Sequence, residues 1–366
     1  MSRQPAVRGG LLWRLLLVGA AWMSPLAGAS EADVFDLQIR PLKPDLYVLE
    51  RPDPLRQPVE PNALVIVNEA DVVVVDAGGV PRSAENAIRL IRGITDKPVS
   101  AVVNTHWHGD HVLGNQVYRR EFPNVRIIAH VNTYRDITGT PMQYIGRQER
   151  QFTDFIAQLE KLVAQGTAAP RQRQLLADVR LARDENRKVT LTPPTLSFTD
   201  ELILHRGTRE IHIRHLGRGN TEGDAIVWLP RERVLASGDL VVLPIPYGFG
   251  SFPKQWIETL EKLAAYDFDL LVPGHGAVQT DREHIRLVQA MLASVREQAA
   301  TAVARGLDLE ATRSAIDLSP WERQIAGDDP ERKRLFKAWW TDPITRSAWL
   351  EAQDLPIVQG AADETG

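Results

Sequence analysis

The sequence predicts an α/β (α+β) domain, and three observations carry that reading. Short β-branched runs alternate with helix-favouring stretches over residues 45–130. Strand signals return between residues 196 and 272. After Asp281 the chain reads as helix. The 366 residues hold 43 Lys+Arg against 47 Asp+Glu, with 43% hydrophobic and 25% charged. Such proportions exclude a disordered, collagen-like or coiled-coil chain. A net charge of −4 gives no global pull towards nucleic acid or an anionic membrane. There is no cysteine, which excludes disulfides, thiolate zinc sites and cysteine nucleophiles.

In chain order, residues 1–29 come first and read as a secretory leader. Arg3, Arg8 and Arg14 are basic, Leu15 to Met23 is apolar, and Ala27-Gly28-Ala29 is a cleavage signal. The apolar run is too short to cross a bilayer. The reading is therefore an exported, periplasmic or secreted protein with no stable membrane insertion after cleavage near Ala29. Strands are predicted at 46–49, 63–67, 72–75, 99–103 and 125–129, and a helix at 83–92 with Ser83 as N-cap. Residues 146–187 change character. Phe152, Phe155, Ile156, Leu159 and Val163 fall at helical spacing, and Gly166 and Pro170 punctuate a helical hairpin, an insertion suited to structure or to a lid. Further strands are predicted at 196–199, 201–205, 209–216, 225–229, 233–236 and 270–272. Ile285, Val288, Met291, Leu292, Val295 and Val303 then make one helical stripe that ends at Gly306. Ser319-Pro320-Trp321-Glu322 looks like a capped helix start. Phe336, Trp339, Trp340 and Trp349 read as packing, and residues 360–366 as a frayed tail. The domain plan is a leader (1–29), a main domain (30–282, insertion at about 146–187) and a helical extension (283–366) packed on it. No G-x-G-x-x-G or P-loop is present.

The chemistry sits in Asn104-Thr105-His106-Trp107-His108-Gly109-Asp110-His111, which follows a buried strand. In extended chain His106 and His108 project to one side, as two ligands of one metal should. Asp110 and His111 follow on the turn and can face a second ion. Imidazole and carboxylate are zinc's donors when thiolate is absent. Ser237-Gly238-Asp239 and Pro273-Gly274-His275 each close a later strand with one more donor. His130, His205, His212 and His284 read as packing or surface residues, and His215 as a candidate partner behind the ligands.

These segments resemble the motifs of the metallo-β-lactamase superfamily. They are Asp76 at an early strand end, His106 to His111, Gly219-Asn220-Thr221, Gly238-Asp239 and Gly274-His275. The resemblance spans about residues 45–285 and implies a four-layer αββα sandwich with the metals at one sheet edge. It implies that His106 and His108 hold a first metal. Asp110, His111 and His275 would hold a second, Asp239 would bridge, and Asp76 would support the ligand loop. One departure stands out: Asn220 occupies the place of the first metal's third histidine. It is then a weak ligand or an oxyanion donor, and the second position is the tighter. Asp239 favours the broad hydrolase group over dedicated β-lactamases.

The implied activity is a zinc-dependent hydrolase with one or two zinc ions. Metal-activated hydroxide would attack a β-lactam, lactone, ester or thioester carbonyl, with Asp110 as the catalytic proton acceptor. Tyr247 and Phe249, in the loop after Asp239, are candidates for a substrate wall. The partner is a small-molecule substrate, and no nucleic acid is expected. Three alternatives stand beside this reading: a mononuclear iron persulfide dioxygenase, a phosphodiesterase or nuclease that the acidic charge disfavours, and a metal-binding accessory of a periplasmic oxidase system.

Overall fold

The computed structural model describes residues 33–360. The leader expected at 1–29 lies outside them, as does the expected tail beyond Gly360. Two mixed sheets form the centre. The first has seven strands in the order of the chain: β1 (Gln38–Lys43), β2 (Leu46–Glu50), β3 (Ala63–Val67), β4 (Val72–Val75), β5 (Val99–Val103), β6 (Arg126–His130) and β7 (Leu196–Phe198). Its β1 to β4 pair antiparallel, and β4 to β7 pair parallel. The second sheet holds β8 (Glu201–Arg206), β9 (Arg209–Arg214), β10 (Ile226–Leu229), β11 (Val234–Val242) and β12 (Leu270–His275). It is antiparallel except where β11 and β12 run parallel.

Strand periodicity explains the layers. In β3 and β4, Leu64, Ile66, Val73 and Val75 face the second sheet and pack with Ile211, Ile213, Val227 and Val272. The intervening Val65, Val67, Val72 and Val74 face the other way. There they meet Ala84, Ala87, Ile88 and Ile91 of α1 (Pro81–Arg92) and Val117 and Tyr118 of the outer helices. Between β5 and β6 run α2 (Gly109–Val112) and α3 (Asn115–Glu121), the crossover that a parallel pair requires. After β6 come α4 (Val131–Thr138), α5 (Ile145–Ala164) and α6 (Pro170–Asn186). The last two are the hairpin predicted for 146–187, turned at Gly166, whose φ is +70°.

The outer face of the second sheet is covered by α7 (Pro253–Ala264), α8 (Glu283–Ala304), α9 (Leu309–Ala315), α10 (Ser319–Ala326), α11 (Pro330–Phe336) and α12 (Asp342–Glu351). Ile226, Leu235 and Leu271 of that sheet share one core with Trp256, Leu260, Val288, Leu292, Trp340 and Ile344. The result is the predicted αββα sandwich with extra helices. No helix among the described residues is long and apolar enough to cross a membrane.

Several boundaries differ from expectation. Ser83 is not the N-cap of α1. Val80 is, because Pro81 opens the helix, and Ser83 sits three residues on with its Oγ donating to the Val80 carbonyl. The helix at 319 starts after Leu318 without a side-chain cap. The α8 stripe ends on buried Ala299 and Ala302, leaving Val303 only half-buried. Strand β11 does not stop at Ala236 but runs to Val242. Its register with β12 shifts on both sides of Gly238, whose φ is +51°. This bulge lets the strand carry Asp239 without ending. Strand β1 has no predicted counterpart.

Candidate metal centre

The parallel strands deliver their C-terminal ends to one place, where ligands of open α/β sheets collect. Asp76 follows β4, His106 to His111 follow β5, Asp239 lies on the β11 bulge, and His275 ends β12. Close packing needs glycine there: a Cβ on Gly274 would lie 1.9 Å from Asp239 Oδ1.

Three of the site's histidines are held by their Nδ1 atoms. His111 Nδ1 faces Asp76 Oδ2 at 2.8 Å, His275 Nδ1 donates to the Glu60 carbonyl at 2.9 Å, and His106 Nδ1 meets Thr105 Oγ1 at 3.0 Å. The Nε2 atoms therefore converge. His111 Nε2 is 3.3 Å from His275 Nε2, 3.2 Å from Asp239 Oδ1 and 3.4 Å from Asp110 Oδ2. His275 Nε2 is 3.1 Å from Asp110 Oδ2, and His106 Nε2 is 3.5 Å from Asp239 Oδ2. Two groups have the spacing to hold an ion: His106, His111 and Asp239, and Asp110, His111 and His275. Their chemistry fits a metal. His106 Nε2, Asp110 Oδ2 and both Asp239 oxygens are buried without a hydrogen-bond partner, an arrangement that costs stability unless a cation satisfies them.

Burial works against every charge here, and the neighbours overcome it. Desolvation would raise the Asp239 carboxyl, yet His111, His275 and His106 hold it well below the usual range. Desolvation would lower His111, yet Asp239, Asp76 and Asp110 push it well above. His108 is different. Burial, helped by His106, pushes its imidazole down to about 3. It lies outside both three-residue groups, with its ring centroid 4.6 Å from that of His106. A neutral imidazole so placed keeps a lone pair for coordination.

Asn220 is fully buried. Its Nδ2 donates to the Tyr247 carbonyl at 2.7 Å, and its Oδ1 has no partner. Of the two expected roles, the arrangement presents the amide's acceptor. The Tyr247 ring lies 5.1 Å from His275 and 6.2 Å from Phe249. His215 Nδ1 donates to the Asp224 carbonyl, and the Asp224 carboxylate accepts from Thr221 N and Oγ1, so His215 braces the Asn220 loop. His284 donates to the Val242 carbonyl, and His205 and His212 face surface glutamates. His130 stacks on His215 at 4.1 Å.

Sequence reasoning missed Glu60 and Tyr144. Glu60 is buried, and burial raises its carboxyl to about 8. The Tyr144 hydroxyl covers Gly109, where a Cβ would stand only 2.1 Å from it. Neither lies in a pattern: Glu60 comes from the loop before β3 and Tyr144 from the short 3-10 turn Pro141–Tyr144 ahead of α5.

Residues 56–275 match the family model described as the metallo-beta-lactamase superfamily. The chain is 25% identical over 285 residues to a linear primary-alkylsulfatase of Pseudomonas sp. (strain ATCC 19151), covering 72% of this chain and 51% of that protein. The chain thus spans about half the length of that relative. It is 33% identical over 78 residues to a type 2 metallo-beta-lactamase of Bacillus cereus, 20% of this chain and 30% of that one. Among solved structures, a metallo-beta-lactamase from Pontibacter korlensis superposes with a TM-score of 0.50 at 17% identity, covering 70% of this chain and 99% of that one.

Proposed function

The chain belongs to the metallo-beta-lactamase superfamily of metal-dependent hydrolases, and from that premise we propose a zinc hydrolase of ester-class substrates. One observation carries the reading. Two His/Asp groups meet at His111, with the Asp239 carboxylate beside both and His106 Nε2, Asp110 Oδ2 and both Asp239 oxygens unpartnered. The donor set is imidazole and carboxylate without thiolate, which suits zinc.

His106, His108 and Asp239, with the Asn220 oxygen, would hold one ion, because the single free His111 nitrogen can serve only one of the two. Asp110, His111 and His275 would hold the other. Bound zinc makes water a nucleophile near neutral pH and polarises the scissile group. Asp110 would orient the attacking water and accept its proton through the carboxylate oxygen not committed to the ion. Tyr247 walls the site beside His275. The leader-like residues 1–29 support export to the periplasm or medium.

A second reading, hydrolysis of a sulfate ester, is favoured by the similarity to the alkylsulfatase over 72% of this chain. Metal analysis of the purified protein, followed by a panel of lactam, lactone, thioester, carboxylic-ester and alkyl-sulfate substrates, tests both. We expect zinc and turnover of at least one ester. A zinc-loaded protein that turns over none of them would end the hydrolase reading.

A further inference from the structure

Three neighbouring cavities share walls in series, starting at the metal-ligating side chains. The first, about 150 Å³, is lined by Gly109, Asp110, Glu60, Tyr144, Gln148 and Phe152. Gln148 and Phe152 also line the second, about 830 Å³, which lies between α5, the Phe249 loop and the Trp339 segment. Gln57, Phe155, Gln158 and Arg334 are shared between the second and a third of about 730 Å³, walled by Leu159 and Leu162. The two larger spaces have the size of small-molecule sites. The insertion hairpin and the C-terminal helices build their walls, so the segments added to the sandwich create the channel.

Its lining says what it takes. Phe155, 37% exposed, lines both larger cavities. Across those two cavities five arginines stand against five carboxylates. Arg56 pairs with Asp178, Arg313 with Glu310 and Arg334 with Glu331. The channel thus has no net charge to recognise an ionic tail. It offers aromatic and aliphatic surface, which gains from burying hydrocarbon. Its position beside the Asp110 cavity, across the shared Gln148 and Phe152, favours a small-molecule substrate over a protein partner.

We infer that the channel holds an uncharged, elongated apolar tail of the substrate, with the scissile bond at the Asp110 end. The inference rests on the hydrolase reading above and narrows it to long-chain esters. The test has two arms. In the first, the zinc-loaded full chain is given p-nitrophenyl esters from acetate to decanoate. Each fully buried methylene adds up to about fourfold in affinity. We expect kcat/KM to climb at least about tenfold from acetate to octanoate. The octanoate-to-acetate ratio should fall below about threefold in Phe155→Asp and in Gln158→Trp, both at exposed positions that the fold does not need. In the second arm, the metal-free chain is titrated with a dansyl amide carrying an uncharged dodecyl chain, and both substitutions should weaken binding at least about tenfold. A chain that cleaves all lengths alike, or probe binding indifferent to both substitutions, overturns the channel. A chain that binds the probe in the channel but cleaves no ester of this series, and none of the lactam, lactone, thioester and alkyl-sulfate panel, keeps the channel and overturns the hydrolase reading.

Discussion

His111 Nδ1 stands 2.8 Å from Asp76 Oδ2, and this contact fixes which edge of the ring faces Asp110, Asp239 and His275. Asp76 also accepts from the Thr105 amide at 2.8 Å and the Thr105 hydroxyl at 2.9 Å. Its φ of +67° lies in the left-handed region that Asp and Asn enter more readily than other non-glycine residues. Asp76→Asn keeps that backbone but turns an amide nitrogen towards donors. We expect metal affinity to fall roughly ten- to a hundredfold with far-ultraviolet circular dichroism unchanged, read by competition with a chelating dye. Unchanged affinity would show that Asp76 does not orient His111.

Asn220 offers an unpartnered amide oxygen where imidazole would bind zinc better. Stepwise zinc titration of metal-free protein should give one tight and one weak step. Asn220→His should tighten the weak step. Two equally tight steps in the wild type would mean that the amide costs the site nothing.

Asp239→Ala removes both unpartnered oxygens between the two groups, and His108→Ala removes an imidazole beside His106. Both variants should lose activity by at least about a hundredfold while keeping the wild-type melting profile in the metal-free state. Asp239→Ala should also abolish one zinc step. Full activity of either variant would show that its residue takes no part in the reaction.

Metal removal is itself a test, because the converging donors gain their partners from the cation. Zinc held at about 100 times its Kd adds about 2.7 kcal/mol. At about 2.1 cal/mol/K of unfolding entropy per residue, a chain of this size moves by roughly 1.5 °C per kcal/mol, so Tm should drop by roughly 4 °C with a strong chelator and return with zinc. A Tm indifferent to both would argue that the folded protein binds no ion.

His130 gives a pH prediction away from the ligands. Burial, reinforced by the stacked His215, pushes its imidazole down to about 4. In the unfolded chain a histidine takes its proton near 6.5. Between about pH 6.5 and 4 the unfolded state therefore binds more protons, and stability present above that window is lost on acidification. His130 accepts from Asn132 N as the cap of α4, and asparagine can do the same. His130→Asn should lose Tm less steeply over that window in calorimetry. Parallel slopes would assign the loss to other groups.

The legible part of the site is the part that is local in sequence. His106 to His111 lie within one turn after a buried strand, so spacing alone aligned them. Asp239 and His275 were readable because each closes an apolar run, although the bulge at Gly238 hid how far β11 continues. Strand β1 was silent because Gln38, Arg40 and Pro41 are exposed and no apolar alternation marks it. Glu60 and Tyr144 were silent for another reason. The Glu60 carbonyl meets His275 across the whole length of the sandwich in sequence, and no local period encodes such a contact. The Ser83 error came from a good capping residue three positions too late, displaced by Pro81.

Asn62 N donates to the Gly274 carbonyl at 2.7 Å, and its side chain donates to the Pro273 and Gly276 carbonyls. The loop before β3 is thereby stitched to the loop that bears His275, late in the chain. A polypeptide emerging N-terminus first has the His106–His111 cluster long before it has Asp239 or this seam. The full donor set therefore exists only once the second half of the chain has docked against the first and this seam has closed behind the late histidine.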